Sequence, residues 1–194
     1  MPEIVLVVVL AAIGYLLGSI PAAIVTCRAL GRPDPRTTGS RNPGATNVAR
    51  TAGRDAAAIT LVADLLKGVL PVLLARAISD EPVVWLLAGL GAFLGHLFPV
   101  FFGFRGGKGV ATGLGVLLTA TPIAGALTVA TWLVTFAISR TSGLSALSAF
   151  LLAPLWVALV LPSLTVIALV AAMCALLFWR HRDNVRRLLR RGEQ

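Results

Sequence analysis

Residues 4–26 read IVLVVVLAAIGYLLGSIPAAIVT, a run without one charged side chain. A helix needs about 20 mostly apolar residues to cross the hydrocarbon core of a bilayer. The run is therefore read as a membrane span. It starts after Met1-Pro2-Glu3 with no basic segment ahead of it, and its apolar stretch outlasts the roughly 15 residues of a signal-peptide core, so it is not a cleavable leader. Similar runs recur at 56–77, 83–103, 109–121, 122–139, 143–161 and 162–179. The fourth and fifth share a stretch that is short for two crossings. Pro122 is the break between them, and the fourth is expected to be a short or tilted helix. Leu161-Pro162-Ser163 makes a minimal turn between the last two. The expected fold is all-α: a polytopic integral membrane protein with seven transmembrane helices, in one membrane-embedded domain over residues 1–194.

Composition agrees. Of 194 residues, 57% are hydrophobic and only 13% charged, with a mean hydropathy of +0.89. Soluble domains carry about 25% charged residues, and no stretch remains here for one. The net charge of +9 is clustered, which suits a membrane surface and anionic substrates. Nucleic acid is excluded because the basic residues lie between apolar spans. Cys27 and Cys174 are far apart and adjoin or lie in apolar runs, so neither a disulfide framework nor a metal site is implied.

The charges also orient the chain. All but Lys67 and Arg76 of the 17 lysines and arginines fall in alternate loops, while Glu3, Asp80 and Glu81 fall on the other side. By the positive-inside rule the N-terminus is outside and the C-terminus cytoplasmic. Every glycine-rich or polar motif then faces the cytoplasm: the 28–55 loop, the 103–112 loop and the C-terminal tail. Three segments remote in sequence can meet at one end of a helical bundle.

The first loop runs from Gly31 to Arg50 and includes Gly39-Ser40-Arg41-Asn42-Pro43-Gly44-Ala45-Thr46-Asn47. It lacks apolar periodicity and reads as a loop, not a helix on an oily surface. Its glycines permit tight turns and close backbone approach, and its Ser, Thr and Asn supply hydroxyls and amides. Arg36, Arg41 and Arg50 can pair with phosphate. An ordinary positive-inside loop would explain the arginines but not Ser40, Asn42, Thr46 and Asn47. The second loop contains Gly103-Phe104-Arg105-Gly106-Gly107-Lys108-Gly109. Consecutive glycines before a helix let backbone N–H groups turn toward one anion, and Lys108 adds a cation that is unfavourable at a helix start unless an anion binds. The spacing is not that of a P-loop. A plain glycine-rich turn is the alternative. His96 lies near the inner end of the third span, either as a hydrogen-bonded structural residue or facing the site.

The tail, His181-Arg182-Asp183-Asn184-Val185-Arg186-Arg187-Leu188-Leu189-Arg190-Arg191, reads as a basic amphipathic helix. Its arginines suit anionic lipid headgroups. That role leaves His181 and Asn184 unexplained; three positions apart, they share a face. Asp64 and Lys67 form an i,i+3 pair inside the second span. Intramembrane charges face a bundle interior, and this pair is expected to neutralise itself and keep the helices beneath the site in register. Gly89, Gly91, Gly113 and Gly115 suit close helix packing, or a groove for an acyl chain. No H-x-x-x-x-D spacing and no cysteine in a basic loop is present, and cytoplasmic carboxylates are few. A site rich in cations and amides but poor in bases suits phosphate-bearing substrates with a good leaving group.

Five motifs together resemble the acyl-phosphate:glycerol-3-phosphate acyltransferase family of bacterial membranes, along essentially the whole chain. They are Gly18-Ser19-Ile20-Pro21, the Gly39–Asn47 segment, Asp64-Leu65-Leu66-Lys67-Gly68, Gly95-His96 with Arg105-Gly106-Gly107-Lys108-Gly109, and His181-Arg182-Asp183-Asn184. The resemblance implies an inner-membrane, multi-pass enzyme with a cytoplasmic active site. Its reaction would move an acyl chain from acyl phosphate to the sn-1 hydroxyl of glycerol 3-phosphate, giving lysophosphatidic acid and phosphate. It further implies catalytic roles for Ser40, Arg50, Lys108, His181 and Asn184, with Thr46 and Asn47 nearby as substrate binders; the loop chemistry adds Asn42, Gly106, Gly107 and Gly109 as candidate substrate-binding residues. Membrane lipids are the expected surroundings, the chain is expected to act as a monomer, and no cofactor is called for. The sequence departs from the family's pattern at Arg41, where many members have glycine, and at Arg105, where lysine is frequent; Arg41 is expected to bear on substrate affinity. A small organic-anion or phosphate transporter is the alternative, although no inverted repeat is visible. A non-catalytic lipid-binding scaffold is a third reading.

Overall fold

The structure is a computed structural model that describes residues 3–191. Among these residues it is all-helical, with no strand. The helices are α1 (Glu3–Gly18), α2 (Ala22–Ala29), α3 (Ala45–Thr51), α4 (Arg54–Arg76), α5 (Pro82–Leu97), α6 (Val110–Ala120), α7 (Pro122–Ser139), α8 (Ser142–Val160), α9 (Leu164–Arg180) and α10 (Arg182–Arg191), with a 3-10 turn at Val100–Phe102. Among the described residues five helical stretches are long and apolar enough to cross a membrane: Glu3–Ala29, Arg54–Arg76, Pro82–Phe102, Pro122–Ser139 and Ser142–Val160. Val110–Ala120 and Leu164–Arg180 are shorter apolar helices. At 1.5 Å per residue α6 is only about 16 Å long, half the hydrocarbon thickness. The expected short fourth helix is thus present, and the break falls at Thr121, just before Pro122. Large apolar side chains such as Leu61, Leu70, Leu151 and Leu159 lie about half exposed or more, as residues solvated by lipid would.

The chain divides into two compact units, one ending at Ala120 and the other starting at Thr121. In the first, α1 packs on α5 and α4 on α6. Lipid gives helices no hydrophobic reason to associate, so close contact depends on small residues. A β-carbon on Gly18 would collide with the Ala92 carbonyl, on Gly91 with that of Ala11, and on Gly95 with that of Tyr15. Gly68 meets the Thr112 carbonyl and Gly115 that of Leu65 in the same way. Gly89 lies against Val116 and Val72. These glycines are packing surfaces.

Two expectations from sequence are corrected here. The first span is not one helix: it breaks between Gly18 and Ala22 because Pro21 has no N–H to continue the ladder. The break exposes the Ile20 carbonyl, which accepts a hydrogen bond from Lys67 Nζ at 3.1 Å. Nor is the first loop wholly irregular, since Ala45–Thr51 forms the short helix α3. Its apolar face is too small to register as periodicity. Val48 is its anchor, fully buried in a cluster with Ala23, Cys27, Ala52, Ala56 and Ala57 from α2, α4 and the turn between α3 and α4.

In the second unit α8 packs against both α7 and α9. Trp156 Nε1 donates to Thr131 Oγ1 at 3.2 Å, and Trp132 stacks on Phe136 with ring centres 5.0 Å apart. The expected helical tail exists as α10. The side chains of Arg187, Arg190 and Arg191, which suit lipid headgroups, lie outside the described residues.

Candidate active site

Asn47 organises the first loop. Its buried amide oxygen accepts the Ser40 N–H at 2.8 Å. Its Nδ2 donates to the Pro35 and Thr38 carbonyls at 2.9 and 3.1 Å. An asparagine amide has two donors and two acceptor sites, and three are used inside the loop. Asn47 thus shapes the turn that carries Ser40. Gly39 adopts φ +59° beside it, and a β-carbon there would collide with Asn47 Oδ1. The result presents Ser40, Arg41, Thr46 and Arg50 as exposed side chains, with Asn42 half-buried.

Arg36 is tied into the same loop. It pairs with Asp34 through Nη2 to Oδ2 at 2.6 Å and Nε to both carboxylate oxygens at 3.1 Å. That hydrogen bonding holds the Asp34 carboxyl below its ordinary range and raises Arg36. The guanidinium also sits 5.8 Å from the centre of the Phe102 ring. Phe102 ends the 3-10 turn that opens the second loop. The two basic loops of the first unit are thus neighbours, as expected from sequence. Arg36 is the link between them.

The second loop closes onto the end of α5. The Gly106 N–H donates to the Leu97 carbonyl at 3.2 Å and the Gly107 N–H to the His96 carbonyl at 3.1 Å. Those two amides are turned onto the end of α5. Their glycine identity has a steric cause: a β-carbon on Gly106 would strike the His96 carbonyl, and one on Gly107 the His96 ring. Gly109 has φ +84° and packs on Phe93. Lys108 stands half-buried between these buried glycines, immediately before α6.

Beneath the loop lies a buried polar network that sequence only half revealed. Lys67 Nζ is 2.9 Å from Asp64 Oδ1, the expected self-neutralising pair. His96 Nδ1 lies 3.4 Å from the same oxygen and 3.2 Å from Thr112 Oγ1. The Thr112 hydroxyl donates to the Asp64 backbone carbonyl at 2.9 Å. Thr112 and Asp64 are 48 positions apart, and no local pattern could have joined them. Tyr15 Oη donates to the Phe98 carbonyl at 2.7 Å, fixing the α5 exit against α1.

In the second unit His181 is buried at the α9–α10 turn, with Nδ1 2.9 Å from the Leu177 carbonyl. A carbonyl only accepts, so Nδ1 carries the hydrogen and a neutral ring keeps its lone pair on Nε2. The Asn184 N–H donates to the His181 carbonyl at 2.8 Å. Asn184 is half-buried beside Gly143, where a β-carbon would lie 2.7 Å from Nδ2. The start of α8 was not singled out from sequence, and Gly143 alone carried too weak a signal.

A glycine-packed bundle of apolar helices, bearing basic, amide-rich loops at one end of its first unit, defines a membrane protein built to handle anions. The sequence pattern of the family described as glycerol-3-phosphate acyltransferase matches residues 8–191, and the chain belongs to that family. It is 56% identical to the glycerol-3-phosphate acyltransferase of Thioalkalivibrio sulfidiphilus over 93% of this chain and 88% of that one. It is 54% identical to that of Halorhodospira halophila over 93% and 92%. The crystal structure of PlsY (YgiH), an integral membrane glycerol 3-phosphate acyltransferase, in its glycerol 3-phosphate form superposes with a TM-score of 0.89 at 38% identity, covering 94% of this chain and 92% of that one. Its lysophosphatidic acid form gives 0.87 at 37% identity, covering 94% and 91%. The chain is thus a multi-pass membrane acyltransferase.

Proposed function

We propose that the chain transfers an acyl group from acyl phosphate to the sn-1 hydroxyl of glycerol 3-phosphate, releasing lysophosphatidic acid and inorganic phosphate. The observation that carries this reading is the adjacency of the two basic loops, pinned by Arg36 on Phe102, in a chain that matches the PlsY glycerol 3-phosphate form along 94% of its length. Seven helical segments cross the bacterial inner membrane, the N-terminus outside and the loops and C-terminus in the cytoplasm, with α6 a short crossing. Both compact units act as one acyltransferase domain.

Acyl phosphate is a mixed anhydride. The glycerol hydroxyl oxygen attacks the acyl carbon, the bond from that carbon to the phosphate oxygen breaks, and phosphate departs with the electron pair. The task left to the protein is positioning and charge stabilisation. Lys108 neutralises the acyl-phosphate head and the charge that develops as it leaves. Arg50 pairs with the phosphate of glycerol 3-phosphate, with Asn42 and Thr46 beside it. Ser40 holds the attacking hydroxyl, and His181 and Asn184 are further catalytic residues of the same reaction. The hydroxyl proton passes to substrate phosphate.

The test is a direct assay in detergent. Purified chain given acyl phosphate and glycerol 3-phosphate should release phosphate and form lysophosphatidate in equal amounts; acyl-CoA should not replace the donor. Product from acyl-CoA alone would contradict the donor assignment. Uptake of glycerol 3-phosphate or phosphate into vesicles without product would favour the transporter.

A further inference from the structure

The buried network under the second loop has no place in the chemistry just described, yet its geometry points at Lys108. The Thr112 hydroxyl has a single hydrogen, and that hydrogen goes to the Asp64 carbonyl. Its oxygen can therefore only accept from His96 Nδ1, so Nδ1 carries a proton and the ring is locked in one orientation. Asp64 Oδ1 lies on the same nitrogen at 3.4 Å. Lys67, which balances Asp64, is itself tied to the broken end of α1 through the Ile20 carbonyl. The ring so fixed turns its other edge to Gly107. A β-carbon there would collide with Nε2 and lie 2.9 and 3.2 Å from Cε1 and Cδ2. The His96 carbonyl meanwhile accepts the Gly107 N–H. Gly107 is gripped by one residue from two directions, and Lys108 follows it in the chain.

We propose that His96, oriented by Thr112 and Asp64, is a positioning residue that holds the Gly106–Gly107 strap so that Lys108 is fixed for acyl transfer. The inference rests on the role given above to Lys108. A fixed ammonium stabilises the departing phosphate without reorganisation at the moment of reaction; a loose one does not. His96 touches no reacting atom. It transmits the rigidity of the α1, α4, α5 and α6 packing to a single side chain.

The test uses the full chain in detergent, with three substitutions and two readouts. Thr112→Val removes the hydroxyl at near-constant shape. His96→Asn keeps a polar group where Nδ1 stands but deletes the edge that meets Gly107. Thr112→Ser restores the hydroxyl. Hydrogen exchange at the Gly106 and Gly107 amides should rise about ten-fold in the Val and Asn variants and stay at the parental rate in the Ser variant, with exchange in α8 unchanged in all three. In turnover assays kcat should fall about ten-fold in the first two, KM for glycerol 3-phosphate should hold within about two-fold, and the Ser variant should be restored. If one of the two disruptive variants fails to fold, the other decides. Unchanged exchange, unchanged kcat, or equal loss in Thr112→Ser and Thr112→Val would overturn the proposal. Should the parent protein make no lysophosphatidate, the proposed reaction fails, while the exchange data still decide whether His96 holds the strap.

Discussion

The guanidinium of Arg36 lies over the ring of Phe102, 5.8 Å from its centre, while Asp34 holds the same guanidinium at 2.6 Å. One arginine thus joins the basic loop after α2 to the turn after α5. Phe102→Ala should loosen that junction. A cation–π contact at an exposed site contributes about 0.5–1 kcal/mol, so KM for glycerol 3-phosphate should rise about two- to five-fold. The Asp34 carboxyl, held low by Arg36, contributes stability that is full above its ordinary range and lost as pH falls through its folded value. Both partners are partly exposed, so the contribution is small and salt-sensitive. Asp34→Asn should therefore match the parent in acid and fall behind it at neutral pH, read as protease sensitivity of the loop.

Asn47→Asp keeps the acceptor for the Ser40 N–H but turns a carboxylate oxygen toward the Pro35 and Thr38 carbonyls. Losing two buried donor interactions and gaining that repulsion should cost about 2–3 kcal/mol locally. Expected outcomes are faster proteolysis between Pro35 and Thr51 and little activity. Asn47→Asp with parental activity would mean that this turn does not matter to the site.

Glycine substitutions should separate by what their β-carbons meet. Gly95→Ala drives a methyl into the Tyr15 backbone and should cost about 1–3 kcal/mol or more. Gly31→Ala points into open space at φ +62° and should cost only about 1 kcal/mol, the left-handed backbone penalty. Thermal unfolding in one detergent compares the two.

Arg41 adopts φ +58°, a conformation that glycine takes without penalty. Arg41→Gly should relieve about 1 kcal/mol of backbone strain, offset in part by the entropy of an unfolded glycine. The same change shows whether the cation aids substrate: an unaltered KM for glycerol 3-phosphate would make Arg41 a bystander.

The apolar helices were legible in the sequence because lipid imposes a length rule residue by residue. The Asp64–Lys67 pair was legible because its members are one helical turn apart. What escaped was long-range. The proline break in the first span does not interrupt hydropathy. Val48 anchors a helix too short to show a period. The Gly106 and Gly107 amides donate to two carbonyls at the adjoining end of α5. His96 was read two ways, and its partner Thr112 lies 16 residues on, beyond any local spacing rule.

Proton transfer to substrate phosphate predicts an acid limb set by the substrate, at about pH 6 where a phosphate monoester takes up its second proton. His181→Gln should lower the rate without moving the profile. An acid limb that vanishes in the folded variant would make His181 the base.

Lys108→Ala decides most, assayed at saturating glycerol 3-phosphate with acyl phosphate varied and the fold checked by thermal unfolding. Removing the one lysine set among the loop's glycines should cut turnover about a hundred-fold or more, with the melting temperature within a few degrees of the parent. A folded Lys108→Ala protein that still makes lysophosphatidate at the parental rate would show that acyl transfer occurs elsewhere.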